Sequence, residues 1–196
     1  MLGMARAVVA AAAAPECVRF LADWPAPAAP RPVATATLEV LRWLDDAAGN
    51  APPGALGALA RAIAAVANEL GWRQSYRAGE VPASFLARYG WCELAGSAGP
   101  VPGTALAAGF LLLGPDTCYP SHRHLAEELY VPLSGAAEWR RGAAPFAVRR
   151  PGEPVFHASG EAHAMRTGAA PLLALYLWRG DGLGERARLT PPPAEA

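Results

Sequence analysis

Tyr119-Pro-Ser-His-Arg-His-Leu-Ala-Glu-Glu-Leu-Tyr130 is the stretch of this sequence that decides its fold. His122 and His124 alternate along the chain, so both imidazoles face the same side if the backbone is a β-strand. Glu128 follows in step with that face. Glu127 is the alternative carboxylate, but a regular strand would turn it to the opposite side. The stretch therefore presents two imidazoles and one carboxylate to a common face.

A fourth candidate ligand, His163, follows in the segment His157-Ala-Ser-Gly-Glu-Ala-His163. Three imidazoles and a carboxylate that converge inside a barrel suit a divalent transition metal ion. Zn, Fe, Mn, Co and Ni all accept such ligands, and the spacing does not choose among them. We predict one such ion with positions left open for a substrate. The predicted ligands are His122, His124, Glu128 and His163.

The pattern H-x-H-x₃-E-x₆-G, from His122 to Gly135, resembles the first motif of the cupin barrels. Gly160-x-x-His163 is similar to the core of the second cupin motif. Beyond Gly71, short apolar runs alternate with Gly/Pro turns, as in a β-sandwich or barrel. Together these features predict a mainly β fold, a cupin double-stranded β-helix (jelly roll) with an N-terminal helical extension.

The division of the chain follows from a change of pattern near Gly71. Residues 1–71 are expected to be a helical region that packs on the barrel, including a helix over Leu56–Leu70. Residues 72–196 are expected to hold the cupin barrel, the metal site and a C-terminal tail from Asp181 onward, as one structural unit. The predicted strands are Trp72–Tyr76, Trp91–Ala95, Ala105–Leu113, Glu127–Leu133, Ala136–Arg140, Phe146–Arg149, Glu153–His157, His163–Thr167 and Leu172–Trp178.

Composition excludes several classes of function. The formal net charge is zero, and all 17 basic residues are arginine. Without a basic surface or a lysine, the chain is not expected to bind nucleic acid, to form Schiff bases or to carry a P-loop. No stretch approaches the roughly 20 apolar residues that span a bilayer, so no membrane partner is expected. Cys17, Cys92 and Cys118 lack a CxxC spacing, which is typical of reduced thiols in the cytoplasm. We expect Cys118 to be a buried, small apolar residue.

Two tyrosines flank the motif and are candidates for proton transfer. Tyr130 lies two residues beyond Glu128 and shares its face on a regular strand. A phenol beside a divalent cation is drawn toward phenolate, which makes it a useful base in a dry cavity. The alternative for Tyr130 is a core tyrosine with a satisfied hydroxyl. Tyr119 is a second phenol that can enter the mouth of the cavity.

Other side chains near the motif are candidates for contact with a ligand. His157 either supports the site or contacts substrate, or it is an ordinary hydrogen-bonded histidine. We assign His157 and Trp178 to substrate binding. The aromatic residues of this half form either an apolar wall for a cationic ligand group or simply core. They are Trp91, Phe110, Trp139, Phe156, Tyr176 and Trp178.

Four segments together resemble the cupin-type dimethylsulfoniopropionate (DMSP) lyases. They are Tyr119-Pro-x-His122-x-His124-x-Ala-Glu-Glu128-x-Tyr130, Ser134-Gly135, His157-x-Ser-Gly-x-x-His163-Ala-Met and Pro171-Leu-Leu-Ala-Leu-Tyr-Leu-Trp178-Arg-Gly. Ala158 departs from the general cupin pattern, where proline is usual, but fits the lyase subgroup. The resemblance implies cleavage of DMSP to dimethyl sulfide and acrylate by metal-dependent β-elimination. It also implies that Tyr130 is the base and that Tyr119 belongs to the substrate site.

Two other functions stay open at this point. One is another cupin metalloenzyme, such as a dioxygenase or an isomerase, that acts on a small carboxylate. The other is a non-catalytic cupin that binds a small molecule. A small carboxylate is the expected partner in each enzymatic case, and a homodimer is expected only from the family.

Overall fold

The computed structural model describes residues 1–191, and its N-terminal part is helical as predicted. The helices are α1 (Leu2–Ala11), α2 (Pro15–Ala22), α3 (Leu44–Gly49), α4 (Ala55–Ala65) and α5 (Ala83–Leu86). Short 3₁₀ segments at Glu39–Trp43 and Ala67–Glu69 extend α3 and α4. The helix predicted over Leu56–Leu70 therefore leaves α geometry after Ala65 and continues as a tighter turn.

Two antiparallel sheets of five strands each form the rest of the described chain, in the orders β1-β2-β9-β4-β7 and β10-β3-β8-β5-β6. The strands are β1 (Tyr89–Ala95), β2 (Leu106–Leu113), β3 (Cys118–Arg123), β4 (Glu127–Ser134), β5 (Ala137–Arg141), β6 (Ala147–Arg149), β7 (Val155–His157), β8 (His163–Thr167), β9 (Leu172–Arg179) and β10 (Arg188–Leu189). The predicted mainly β jelly roll with N-terminal helices is confirmed.

The first sheet has a buried side chain at nearly every position because both of its faces are covered. All eight residues of β2, with the sequence Leu-Ala-Ala-Gly-Phe-Leu-Leu-Leu, are buried. One face packs against the helices, where Leu59, Ile63, Phe110 and Leu133 belong to one core and have no exposed surface. Burial of each such side chain contributes about 1.5–3 kcal/mol. We propose on this basis that the helical region and the barrel are one structural unit.

The other face of the first sheet looks into the barrel, which holds a second core. Tyr89, Leu111, Tyr130, Trp139 and Met165 are among its buried members. This core differs from the first because it is rich in phenol and indole groups. The fold thus concentrates the buried tyrosines on the inner side, where the alternation of the strands points them into the barrel.

Three local expectations differ from the structure. Trp72–Tyr76 is not a strand, because only an isolated bridge joins Arg73 to Trp91. The expected tail includes β10, which pairs Leu189 with His122, and residues 192–196 of that tail lie outside the described residues. Cys118 is exposed rather than buried, because it alternates on β3 with the inward-facing Tyr119.

The turn at Gly135 joins β4 to β5 and requires glycine. Its φ is 75°, and a Cβ at this position would lie 2.5 Å from the carbonyl oxygen of Pro171. Both the left-handed backbone and the close approach exclude a larger residue.

None of the helices within residues 1–191 combines the length and the apolar character that a bilayer span requires.

Candidate metal centre

The histidine motif crosses from one sheet to the other. His122 lies near the end of β3, His124 follows that strand, and Glu128 belongs to β4 in the opposite sheet. The prediction that one regular strand carries all three is therefore wrong. The chain bends at Leu125–Ala126. Without this bend, a continuous strand would keep His122, His124 and Glu128 in one sheet. The bend turns His124 and Glu128 back toward His122.

His163 completes the group from the neighbouring strand. It begins β8 and is paired in register with His122 on β3. One nitrogen from each of His122, His124 and His163 lies within 4.8 Å of the other two. All three residues are buried. The structure thus brings together the three histidines that the sequence predicts as ligands.

The three histidines share one hydrogen-bond arrangement that fixes their tautomers. In each ring Nδ1 lies against a backbone carbonyl two residues away: His122 against Pro120 at 2.8 Å, His124 against Ala126 at 2.9 Å, and His163 against Glu161 at 2.9 Å. A carbonyl only accepts, so each Nδ1 donates its hydrogen. The three Nε2 atoms are thereby directed inward as ligands.

Glu128, rather than Glu127, joins this group. Its Oε2 lies 3.0 Å from Nε2 of His124 and 3.1 Å from Nε2 of His163. Glu127 points away and forms ion pairs with Arg19 at 3.1 Å and Arg179 at 2.7 Å. The period of two along a strand separates the adjacent carboxylates, as the sequence predicts.

Electrostatics inside the group are strongly coupled. Burial, and then the neighbouring histidines, lower the pKa of His122 well below its usual value. Burial alone would lower the pKa of His124, but the charge and hydrogen bond of Glu128 outweigh it and raise that pKa. Burial likewise opposes the ionised Glu128, yet its contacts with His124 and His163 hold its pKa well below the usual range. An ionised carboxylate in a buried histidine group attracts cations.

These residues fit a divalent transition metal ion. Three Nε2 atoms with fixed tautomers converge beside an ionised carboxylate, and imidazole with carboxylate is a donor set that such ions prefer. A bound ion would take the place of the proton shared between His124 and Glu128. The chemistry of the donors is therefore consistent with the predicted cofactor.

Trp178 holds the carboxylate from the other side. Its indole Nε1 donates to Glu128 Oε1 at 2.6 Å, and its ring stacks on His124 with a centroid separation of 4.1 Å. The residue also lines the cavity. The sequence predicts Trp178 only as a substrate contact, because nothing local links it to a glutamate 50 positions earlier.

His157 lies behind the site. It is fully buried and stacks on His163 with centroids 4.0 Å apart. Burial lowers its pKa well below the usual value, so the ring is neutral. His157 is absent from the lining of the main cavity, which includes Glu128 and His122. This placement favours support of His163 over contact with a substrate.

A cavity of about 380 Å³ opens in front of the histidines. His122, Glu128, Tyr119 and Tyr130 lie on its wall. Burial, followed by the charge of Glu128, raises the pKa of Tyr130 well above its usual value. Burial also raises the pKa of Tyr119, whose hydroxyl lies 3.2 Å from that of Tyr89. Both predicted phenols therefore share the cavity with the metal group.

Half of the predicted aromatic wall faces this cavity. Trp91, Tyr176 and Trp178 line it, whereas Phe110 packs in the core beneath the helices. Trp139 and Phe156 lie beside a separate cavity of about 210 Å³. The direction in which each ring points is set by its position on a strand, because successive residues of a strand face opposite sides of the sheet.

Sequence reasoning missed several polar residues of the main cavity, among them Ser75, Tyr89 and Glu93. Glu93 carries a local signal that was available, since it is a carboxylate inside the apolar strand β1. The other two give no such signal. They are brought to the cavity by chain segments far from the motif.

The family model for dimethylsulfoniopropionate lyase matches residues 15–174. The chain belongs to this family. Among curated DMSP lyases, DddQ from Ruegeria pomeroyi is 41% identical over 110 residues, which are 56% of this chain and 55% of that protein. The matched region spans about half the length of the curated relatives.

Solved structures of DMSP lyases are similar over much more of the chain. A crystal structure reported for the DMSP lyases RdDddP and RnDddQII has a TM-score of 0.83 at 36% identity, covering 97% of this chain and 95% of that one. The crystal structure of DddQ from Ruegeria pomeroyi DSS-3 has a TM-score of 0.79 at 34% identity, covering 89% of both chains. The family resemblance thus extends to the N-terminal helices.

Proposed function

We propose that this protein is a metal-dependent carbon–sulfur lyase that cleaves DMSP to dimethyl sulfide and acrylate by β-elimination. The observation that carries the proposal is one cavity whose wall includes His122, Glu128 and the two phenols Tyr119 and Tyr130. Membership in the DMSP lyase family supports the choice of substrate. The cavity combines a cation site for a carboxylate with a base, which are the two groups that the elimination needs.

Tyr130 is the proposed base. Its phenolate takes the proton from the carbon next to the substrate carboxylate, a carbon–carbon double bond forms, and the carbon–sulfur bond breaks. The electron pair of that bond leaves with sulfur, so the sulfonium departs as neutral dimethyl sulfide and acrylate remains. Tyr130 lies beside the proposed metal ligand Glu128, where a bound cation would offset the charge that raises its pKa. The hydroxyl of Tyr119 lies farther along the wall, 3.2 Å from that of Tyr89. This difference favours Tyr130.

His122, His124, Glu128 and His163 would hold the ion. When bound, a divalent ion supplies the positive charge that acidifies the proton beside the carboxylate and favours phenolate. The protein does the rest. Trp178 fixes Glu128 through its 2.6 Å hydrogen bond, and the three carbonyl acceptors keep the imidazoles from rotating. The side chains of His122, Glu128 and Tyr130 are buried, which strengthens the charge interactions among them.

The test is headspace detection of dimethyl sulfide from the purified protein and DMSP, with elemental analysis of the same sample. We expect dimethyl sulfide and acrylate in equal amounts, together with about one divalent transition metal ion per chain. A chelator should abolish the release, and the metal should restore it. Metal-loaded protein that releases no dimethyl sulfide would overturn the proposed substrate.

The cytoplasm is the compartment that we propose, since Cys17, Cys92 and Cys118 are unpaired in the structure. The homodimer expected from the family stays a prediction. Size-exclusion chromatography with light scattering of the full chain measures it directly.

A further inference from the structure

Glu93 is a carboxylate in the apolar strand β1, whose sequence is Tyr-Gly-Trp-Cys-Glu-Leu-Ala. It is only 9% exposed, and it lines the same cavity as Glu128 and Tyr130. Burial of a carboxylate costs free energy unless hydrogen bonds or an opposite charge compensate. Its presence in the cavity wall therefore calls for a partner.

Only one oxygen of Glu93 has a structural partner. Oε1 accepts the backbone N–H of Ala98 at 2.6 Å and of Gly99 at 2.8 Å, which holds the loop after β1. Among the hydrogen bonds and ion pairs within residues 1–191, none involves Oε2. One oxygen is thus left to act on whatever occupies the cavity.

Glu93 lies at the end of the cavity away from the histidines. Across the first sheet Glu93 is in register with Gly109, Gly109 with Tyr176, and Tyr176 with Tyr130. Three strand spacings separate Glu93 from Tyr130, roughly 14 Å between backbones. Gly109 has no side chain, and the ring of Tyr176 lies 2.8 Å from where its Cβ would be. The Tyr176 ring therefore lies in the row between the two ends.

Aromatic rings line the path between the two ends. Tyr176 lies edge-on to Trp91 at 6.3 Å and to Trp178 at 6.4 Å between centroids. Aromatic faces attract alkylated cations, and a carboxylate adds a full opposite charge. We propose that Glu93 is a specificity-determining residue that attracts the onium head of a zwitterionic substrate whose carboxylate lies at the histidine end. This inference rests on the proposed function.

Other charges near Glu93 are compatible with this role. Burial raises the pKa of Glu93, while the N–H groups of Ala98 and Gly99 and the charges of Arg73 and Arg31 act in the opposite direction. A bound cation also favours the ionised carboxylate. Arg186, at the cavity rim, is paired with Glu80, so its charge is already balanced.

Two ligands of the same shape isolate the contribution of charge. Trimethylammoniopropionate carries a cationic head, and its isostere with carbon in place of nitrogen carries a neutral tert-butyl head. Binding of each to the metal-loaded protein is measured by calorimetry. We expect the wild type to prefer the cationic ligand by a factor on the order of ten. In Glu93→Gln most of this preference should be lost, and the aromatic rings alone should keep a small part of it. The affinity for the neutral ligand should be unchanged, because Gln keeps the acceptor for Ala98 and Gly99.

Glu185→Gln is the matched control, because Glu185 is another carboxylate of the cavity wall but is exposed. It should retain the preference. An unchanged preference in Glu93→Gln, or an equal loss for both ligands, would overturn the role of Glu93. Dimethyl sulfide release by the same wild-type sample tests the proposed function separately, since binding of these two ligands does not depend on turnover.

Discussion

The hydrogen bonds of individual histidine rings are what make this site a ligand set. Each Nδ1 of His122, His124 and His163 donates to a carbonyl two residues away. The acceptors belong to the same short segments as the histidines themselves, so the orientation is built locally. Burial of imidazoles whose Nε2 atoms face an ionised carboxylate costs free energy, which a bound metal ion would offset.

His124→Ala and His163→Ala should each lower the affinity for the metal by at least about 10–100-fold. Substitution of residues that only support metal ligands already lowers metal affinity by that factor. The fold should survive, because the apolar core beneath the helices does not depend on the ion. Metal content by mass spectrometry and circular dichroism measure the two effects. Glu127→Gln is the comparison and should keep the metal, because Glu127 points away from the histidines and pairs with Arg19 and Arg179. Unchanged metal in both alanine variants would refute the ligand assignment.

Tyr130→Phe should keep the metal yet lose activity by about 10²–10⁴-fold, the usual effect of removing a general base. Only the hydroxyl is deleted, so packing in the barrel is nearly preserved. Initial rates of dimethyl sulfide release, normalised to bound metal, give the measurement. If the variant keeps more than about half of the wild-type rate, Tyr119 becomes the candidate base and Tyr119→Phe the next variant.

At the level of elements, the first sheet requires one position without a side chain on the strand β2. Gly109 lies on β2 between Glu93 on β1 and Tyr176 on β9. A Cβ there would lie 2.0 Å from the carbonyl oxygen of Cys92 and 2.8 Å from the Tyr176 ring. A side chain at Gly109 would push β1 away from β2 and displace the Tyr176 ring, so both positions depend on glycine.

Gly109→Ala should therefore destabilise the protein by about 1–3 kcal/mol or more, as overpacking does in tight cores. The loss is read from the midpoint of chemical unfolding. Gly168→Ala is the control, since nothing lies within 4 Å of its Cβ position, and it should be nearly neutral. Equal stability of the two variants would show that the sheet relaxes around the methyl group.

At the scale of the whole molecule, a charge network ties the helices to the barrel. Arg179, at the end of β9, donates to Asp23 after α2 at 2.8 Å and to Glu127 on β4 at 2.7 Å. Arg19 of α2 reaches Glu127 as well, at 3.1 Å. The three side chains of Arg179, Asp23 and Glu127 are each 30% exposed or less, so solvent screens them only in part.

Arg179→Met should cost about 1 kcal/mol, which lowers the melting temperature by about 2–4 °C for a chain of this size. The substitution leaves Asp23 and Glu127 without their shared cation. Arg166→Met is the matched control, because Arg166 pairs with Glu138 but its side chain is 49% exposed. Its effect should be smaller. If Arg166→Met lowered the melting temperature more than Arg179→Met, the network around Arg179 would not be what stabilises the contact between helices and barrel.

The sequence alone determined the class of the fold and which histidines and carboxylate form the candidate site. Alternation along a strand distinguishes Glu128 from Glu127, and the spacing of His122, His124 and His163 indicates a cupin barrel. These features are local: they depend on side-chain types and on the period of the backbone, which a sequence displays directly. The helices and most strands follow from the same periodicity.

Only the tertiary structure decided which distant residues meet. The bend that carries Glu128 to the opposite sheet, the bond from Trp178 to Glu128, and the position of Glu93 in the cavity all depend on strand register. Register is set by packing between segments far apart in the chain, and a shift by one residue would turn each side chain to the other face. Residue spacing in the sequence does not specify this register, because the register is fixed only when the two sheets pack on a common core.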